Sequence, residues 1–388
     1  MAAGALHDSA HPVRVRRVEA WALRAKVGRP VETAFGAMRD RPAVFVRVED
    51  AAGAFGFGEI WCNFPGCGAE HRVRLATEEL GELLCAPVFR SPAHAHETLT
   101  EAVRIRVLQS GEAGPYRQAL AGIDIALWDL AARVAGKPLR RYLAAAAADR
   151  VPAYASGIHV GDAAEAIGRA RDGGFRAFKV KVGFDAAADL KILERLVRDL
   201  RPGEQLFADA NQAWDLRGAL AFAQAARDFR LGWLEEPLPA DAPAADWRRL
   251  AADGNIPLAA GENIAGDAAF RAAVAAGALT FIQPDIAKWG GFSGCLPVAR
   301  AILDGGRTYC PHFLGGGIGL AASAHLLAAI GGPGLLELDA NPNPLREAFP
   351  QARQTGGEVV LSDVVGLGIE AIPKDLLNRV TLYRQWPA

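Results

Sequence analysis

At 388 residues the chain exceeds the usual length of one domain and can bury a large core. Its 43 basic and 44 acidic residues nearly cancel, with no block of like charge, which argues against nucleic acid or a membrane surface as partner. Five cysteines (Cys62, Cys67, Cys85, Cys295 and Cys310), odd in number and without a CxxC pair, argue against a disulfide framework or a thiolate zinc site and point to a reducing, cytoplasmic compartment.

The opening MAAGALHDSAHPVRVRR has no basic region followed by an apolar core, so it reads as a frayed terminus rather than a secretory signal. Residues 13 to 60 alternate in VRVRRVEAWAL and PAVFVRVED, with Ala51-Ala52-Gly53, Gly56 and Gly58 as turn chemistry, and predict an antiparallel meander. From about Glu70 to Leu143 apolar residues recur at three and four, as in Ala119, Ile123, Ala126, Leu127 and Leu130, and predict helices. Residues 1–145 therefore form a candidate α+β domain.

After Val151 short strands alternate with helices. The predicted strands are VPAYAS, RAFKVKV, QLFADA, LGWLEE, IPLAAGE, TFIQPD, RTYCPH and GLLELD. Helices are predicted over 162–172, 186–199, 215–228, 266–276, 293–304 and 318–330. About eight such units close into a parallel barrel, here assigned to 146–345. The remaining segment, 346–388, contains EVVLSDVVGLGIE and reads as extended chain returning to the first domain. Phe313 to Leu336 carries no charge and is long enough to span a bilayer. Its glycines, Pro333 and central His325 instead predict a loop, a short buried helix and a second loop.

Seven polar residues recur through this barrel, each at the end of an apolar run: Lys181, Asp209, Glu235, Glu262, Asp285, His312 and Glu337. Their separations of 28, 26, 27, 23, 27 and 25 residues match one strand, its crossover helix and two loops, so all seven belong at the C-terminal end of the barrel. Asp209, Glu235 and Glu262 are three hard carboxylates from neighbouring strands, a donor set suited to Mg²⁺ rather than zinc. Taken singly, each also fits an acid capping the next helix.

Lys179 and Lys181 lie two apart and point to the same side of a strand, where mutual repulsion near a dication is expected to bring one ammonium toward the range of a general base. Asp285 is placed to orient His312 as a second acid/base. Glu337 is read either as a protonated donor to a substrate oxygen or as a partner of Lys288 or an arginine. Together the parts describe removal of the proton alpha to a substrate carboxylate, with the enediolate stabilised by a dication and His312 deciding between dehydration and inversion.

The ordered set KVK (179–181), ADAN (208–211), LEEP (234–237), GEN (261–263), PDIAKWGG (284–291), PH (311–312) and LLELD (335–339), with the helix ALAGIDIALWDLAARVAGKPL (119–139), resembles the enolase superfamily, mandelate racemase subgroup. The resemblance runs from about Val13 to the C-terminus. It implies an α/β fold: a modified TIM barrel of the (β/α)7β type under an α+β N-terminal capping domain, completed by the C-terminal segment. It implies Mg²⁺ on Asp209, Glu235 and Glu262, Lys181 as base, His312 with Asp285 as acid/base, and Lys179 and Glu337 on the substrate carboxylate. Asn211 is expected to add a polar contact.

Specificity loops are expected at Val31 to Arg41 and at Ile60 to Cys67, with Trp61 and Phe64 closing over a small carboxylate substrate and Arg39 or Arg41 meeting its distal end. The aromatic pair allows a hydrophobic substrate, and Asn63 does not exclude a sugar acid. Asp285, where muconate-lactonizing relatives have lysine, argues against cycloisomerase chemistry. The resulting expectation is a soluble cytoplasmic homo-oligomer that dehydrates an acid sugar or similar hydroxy acid, with racemisation or epimerisation as the alternative and a silent binding barrel as a remote one.

Overall fold

The computed structural model describes residues 12–387, so the segment expected to be frayed lies, up to residue 11, outside the described residues. The first sheet is built from β1 (Val15–Thr33), β2 (Gly36–Asp50) and β3 (Phe55–Ile60), an antiparallel meander. Gly56 and Gly58 are not turn residues. They sit inside β3, where a Cβ would come within 2.2 Å of the Ala126 carbonyl oxygen and 2.0 Å of that of Gly122. Their bare backbone lets the helix Ala113–Val134 lie directly on the strand. Nor is Val31 to Arg41 a loop: Val31, Glu32 and Thr33 pair with Met38, Ala37 and Gly36, so this stretch is a hairpin tip turning at Ala34 and Phe35.

The second sheet contains β4 (Arg150–His159), β5 (Ala177–Lys181), β6 (Gln205–Asp209), β7 (Leu234–Glu235), β8 (Leu258–Ala260), β9 (Phe281–Ile282), β10 (Thr308–Tyr309) and β11 (Leu336–Asp339). These pair in parallel from β4 round to β10, and β11 pairs in parallel with β4. At the seam between β10 and β11, Leu335 N donates to Cys310 Sγ at 3.3 Å. The predicted strand–helix alternation is present, with one further helix, Ala244–Asp253, that its alanine- and proline-rich sequence concealed.

Side chains two apart on a strand share a face, which sorts the barrel interior into layers. Toward the N-terminal ends Tyr154, Phe207, Trp233, Phe281, Cys310 and Leu335 form an apolar plug, in which Phe207 and Trp233 stack at 3.5 Å. Two residues further along the same strands stand Ser156, Asp209, Glu235, Gln283, His312 and Glu337, all buried. The apolar layer excludes water from below, so the charged layer above it has only its own members and the mouth of the barrel to satisfy it.

The C-terminal residues split between the two sheets. β12 (Ala352–Thr355) and β13 (Glu358–Leu361) form a hairpin whose second strand pairs with the start of β4, so EVVL extends the barrel sheet and not the first one. β14 (Val380–Trp386) then pairs antiparallel with β1 and completes the first sheet. The uncharged stretch contains the helix Gly317–Ile330, buried on most sides. Among the described residues no helix is long and apolar enough to cross a membrane.

Candidate active site

Strand register brings the site together. Lys181 is paired with Asp209, and Asp209 with Glu235, so three of the seven groups stand at one level on adjacent strands. The chain after each strand is tightly held. Asn211, Gln212 and Glu236 all have positive φ (44°, 66° and 37°), and Gln212 N donates to the Glu236 carbonyl at 2.6 Å. Left-handed backbone at non-glycine residues is costly, and here it is concentrated around the charged layer.

Lys179 is wholly buried and bridges two carboxylates, forming a short ion pair with Glu235 and lying 2.8 Å from Glu337. Lys181 donates to Asp209 Oδ2 at 2.8 Å and to Asn211 Oδ1 at 2.6 Å. Among the protein groups alone, the carboxylates outweigh the mutual repulsion of the two lysines. Burial pulls both ammoniums down, but Glu235 and Glu337 hold Lys179 well above the ordinary lysine value, and Asp209 raises Lys181 against the repulsion of Lys179.

Glu337 is held by other groups. Against the cost of burial, Lys179 and His312, with hydrogen bonds from Lys179 and from Ser156 Oγ, bring it down to about 2. Phe313 N donates to its other oxygen at 3.0 Å. In this arrangement its cation is Lys179 rather than Lys288. Lys288 instead lies 3.6 Å from Glu262 and donates to Asn263 at 2.7 Å.

His312 Nδ1 lies 2.8 Å from Asp285 Oδ2, and its Nε2 lies 2.9 Å from Glu262. Burial opposes the imidazolium, but Glu262, Glu337 and Asp285 outweigh it and raise His312 well above an ordinary histidine. Glu235 accepts from Trp233 Nε1 at 3.0 Å and Gln283 Nε2 at 2.7 Å. Burial, with repulsion from Asp209 and Glu337, pushes it up to about 7 in spite of Lys179. Burial and Glu262 likewise push Glu236 up to about 8, although Asn263 donates to it.

The three expected ligands are therefore neighbours but do not share one point. Among the described residues no group of three or more His, Cys, Asp or Glu side chains is arranged as a ready metal cage. The reason is electrostatic: Asp209, Glu235 and Glu262 each turn to the nearest cation, respectively Lys181, Lys179 and His312. The composition of the layer still suits a dication. Six carboxylates (Asp209, Glu235, Glu236, Glu262, Asp285 and Glu337) face four cationic groups (Lys179, Lys181, Lys288 and protonated His312), and two of the carboxylates are driven up by the crowding. Hard oxygen donors with a local excess of negative charge are what Mg²⁺ binds.

A cavity of about 280 Å³ opens onto this layer, lined by Lys181, Asn211, Glu262, Lys288 and His312 below and by Val31, Thr33, Phe35, Met38, Arg41, Trp61, Asn63, Phe64 and Leu314 above. Trp61 and Phe64 line it as expected of their loop. Of the two arginine alternatives, Arg41 lines it, whereas Arg39 is exposed on β2 and outside the lining. Alternation does not separate the two, which lie two apart on β2; burial does, because the strand runs from an exposed hairpin tip at Arg39 to a buried base that begins at Arg41. A larger groove of about 420 Å³, beside Lys26, His159 and Arg169, lacks the charged layer.

Ser156, Gln283 and Asp339 are site residues that the sequence does not single out, and Lys288 enters there only as a candidate partner of Glu337. Ser156 and Gln283 carried a signal, since each lies two positions beyond an apolar residue of the plug. Lys288 and Asp339 act through contacts that spacing does not encode.

Comparison with known proteins adds a lineage to this geometry. Residues 162–375 match the family described as enolase C-terminal domain-like, and residues 17–143 match the mandelate racemase / muconate lactonizing enzyme N-terminal domain. A D-galactarolactone cycloisomerase of Agrobacterium fabrum is 30% identical, covering 94% of this chain and 98% of that protein. An L-talarate/galactarate dehydratase of Salmonella typhimurium is 33% identical over 66% of this chain and 64% of that protein. Among solved structures, a mandelate racemase/muconate lactonizing enzyme from Bordetella bronchiseptica is 50% identical, with a TM-score of 0.88 over 93% of this chain and 98% of the other. A racemase from Streptomyces coelicolor with bound magnesium is 27% identical, with a TM-score of 0.82 over 94% and 99%.

Proposed function

The chain belongs to the enolase superfamily, in its mandelate racemase subgroup, and on that premise we propose that it dehydrates a hydroxy acid by first removing the proton alpha to the carboxylate. The observation that carries this reading is that Lys181 and His312 line one cavity while each is held by its own carboxylate, Asp209 and Asp285. Two acid/base groups on separate strands can serve two faces of one substrate.

Lys181 takes the proton from C2, leaving an enediolate whose electron pair is placed to expel the oxygen on C3. His312, held as imidazolium, protonates that oxygen as the C3–O bond breaks, so it departs as water. The enol then tautomerises to the 2-oxo acid, with a proton added at C3, and the base and acid return to their starting states. Lys179 is the buried cation nearest the substrate carboxylate in this reading, and Glu337 fixes it in place. Asp209, Glu235 and Glu262 would hold a Mg²⁺ ion, which when bound supplies positive charge to the enediolate and draws off the Asp209 charge that now retains the Lys181 proton. The magnesium-bound racemase structure supports that assignment. The free thiols of all five cysteines support a reducing, cytoplasmic setting.

The exclusion of cycloisomerase chemistry drawn from Asp285 is withdrawn, because a relative matched over almost the whole chain is a cycloisomerase. The physical reason is that both outcomes can share one beginning. Once the C2 proton is gone, elimination proceeds equally from a C3 hydroxyl or from a ring oxygen attached at C3.

The test is exchange of the C2 proton with deuterium from solvent, followed by NMR, with formation of a 2-oxo acid scored on the same samples. Lys181→Ala is expected to abolish both; full exchange in that variant would remove Lys181 as the base. Thorough removal of divalent cations is expected to stop turnover, and undiminished turnover would remove the metal from the scheme.

A further inference from the structure

The far wall of the cavity is largely apolar, and several of its polar groups are already engaged. Val31, Phe35, Met38, Phe64 and Leu314 face the space remote from Lys181. Phe35 and Phe64 meet edge to face with ring centroids 5.2 Å apart, so β1, β2 and the Trp61 loop contribute one continuous surface. Asn63 donates to the Leu314 carbonyl at 2.6 Å, the Thr33 hydroxyl donates to the Gly36 carbonyl at 2.9 Å, and Gln212 accepts from Ala240 N at 2.7 Å.

Charge decides what can sit there. Arg41 is the cation on this wall, and it is buried against Asp339 at 2.5 Å. Arg346 approaches the same carboxylate at 3.6 Å and Glu347 at 3.1 Å, so two guanidiniums meet two carboxylates and the cluster is neutral. Lys288 is spent near the barrel: it lies 4.7 Å over the Trp61 ring and is held by Asn263 and Glu262. A second carboxylate at the far end of a substrate would lose its water without gaining a free cation. An apolar group would lose nothing and bury its surface. Two buried donors lack acceptors, Trp61 Nε1 and Arg41 Nε, and a neutral hydroxyl oxygen suits them without needing charge.

We propose that the substrate is a 2,3-dihydroxy monocarboxylate whose end remote from the carboxylate is apolar, and that diacids such as galactarate are selected against. This deepens the function proposed above and rests on it. The feature that carries the selection is that the distal arginine, Arg41, is already neutralised within the protein by Asp339.

The experiment measures binding to the full-length chain with Mg²⁺ by calorimetry, and C2-proton exchange in D₂O by NMR. Three probes are compared: 2,3-dihydroxy-5-phenylpentanoate, galactonate and galactarate. The phenyl acid is expected to bind at least ten-fold more tightly than either sugar acid and to exchange its C2 proton. Galactarate binding as tightly would overturn the charge argument, and galactonate binding as tightly would overturn the apolar end. Selective binding of the phenyl acid without exchange would uphold the pocket while refuting the proton chemistry; failure of all three to bind refutes the pocket.

Asp339→Asn, which releases Arg41, is expected to improve galactarate binding relative to the phenyl acid. Because Asp339 is buried, Met38→Arg at the accessible hairpin serves as the second variant, and it is expected to shift the same ratio about ten-fold. An unchanged ratio in a folded Met38→Arg protein would overturn the proposal.

Discussion

His312 Nδ1 and Asp285 Oδ2 are 2.8 Å apart, and the remaining oxygen of Asp285 accepts backbone N–H groups from Ala287 at 2.9 Å and Lys288 at 3.0 Å. The carboxylate cannot rotate without losing these bonds, so it fixes the ring plane and commits Nδ1, leaving Nε2 for chemistry. Asp285→Asn should therefore lower kcat for 2-oxo acid formation by about 10²–10⁴-fold, the range of one acid/base group, with KM nearly unchanged. C2-proton exchange, which relies on Lys181, should persist. Loss of exchange and product formation together would show that the two faces are not independent.

His325 sits in the helix Gly317–Ile330 and has no part in that chemistry. Its Nδ1 accepts the Arg140 backbone N–H at 2.9 Å, which requires a neutral ring. Burial, aided by the Arg140 charge, pushes it down to about 3. Below pH 6.5 the unfolded chain takes up a proton that the folded chain refuses, so stability declines as pH falls from 6.5 toward 3 and then levels. The loss amounts to a few kcal/mol at most. Urea unfolding of His325→Gln should show a flatter pH dependence than the parent across this window; parallel curves would mean that His325 protonates without cost.

Glu59 acts in the opposite direction. It leaves β3 to accept N–H groups from Gly316 and Gly319, the latter at 2.7 Å, and so fastens the first sheet to the start of the same helix. Burial raises its carboxyl to about 7, although those backbone bonds lower it. A raised carboxyl favours the fold while both states are protonated. The unfolded chain ionises first as pH rises past about 4.5, so this contribution is lost by about pH 7, to a maximum of about 3 kcal/mol. Glu59→Gln should be less stable than the parent at low pH by an amount that shrinks, or reverses, at neutral pH. A gap that widens with pH would show the ionised form to be the one the helix prefers.

The barrel was legible because its signal is periodic in sequence: a strand ends every 23 to 28 residues, and alternation by two carries an apolar plug residue into a charged one. Lys179, Lys181, Asp209, Glu235 and Glu337 were found that way, and all five are buried. Their electrostatics were not legible. Two lysines two apart look mutually repulsive, yet in the fold each faces carboxylates 28 to 158 positions away, and among the protein groups those contacts outweigh the repulsion. Neutralisation of Arg41 by Asp339 spans 298 positions and leaves no local trace. Gly56 and Gly58 were misread for the same reason: what demands them is a helix about 65 residues later, not a turn.

Lys179 offers the sharpest test of how the charged layer is balanced. It is fully buried among Glu235, Glu337 and Asp209, and its ammonium lies 5.6 Å from the centre of the Tyr154 ring. Lys179→Met conserves length and removes the charge, leaving Glu235 and Glu337 without their shared cation. Breaking one side of a buried ion pair costs about 3–5 kcal/mol, and the cation-free variant should unfold at a correspondingly lower temperature. The same substitution increases the negative excess in the layer, so added Mg²⁺ has more to neutralise. Its stabilising effect on Tm should be larger in the variant than in the parent. Scanning calorimetry with and without Mg²⁺ measures both quantities. An equal Mg²⁺ increment in the two proteins would mean that Lys179 and the divalent ion do not draw on the same carboxylates, and Glu235 would then have to be removed from the proposed ligand set.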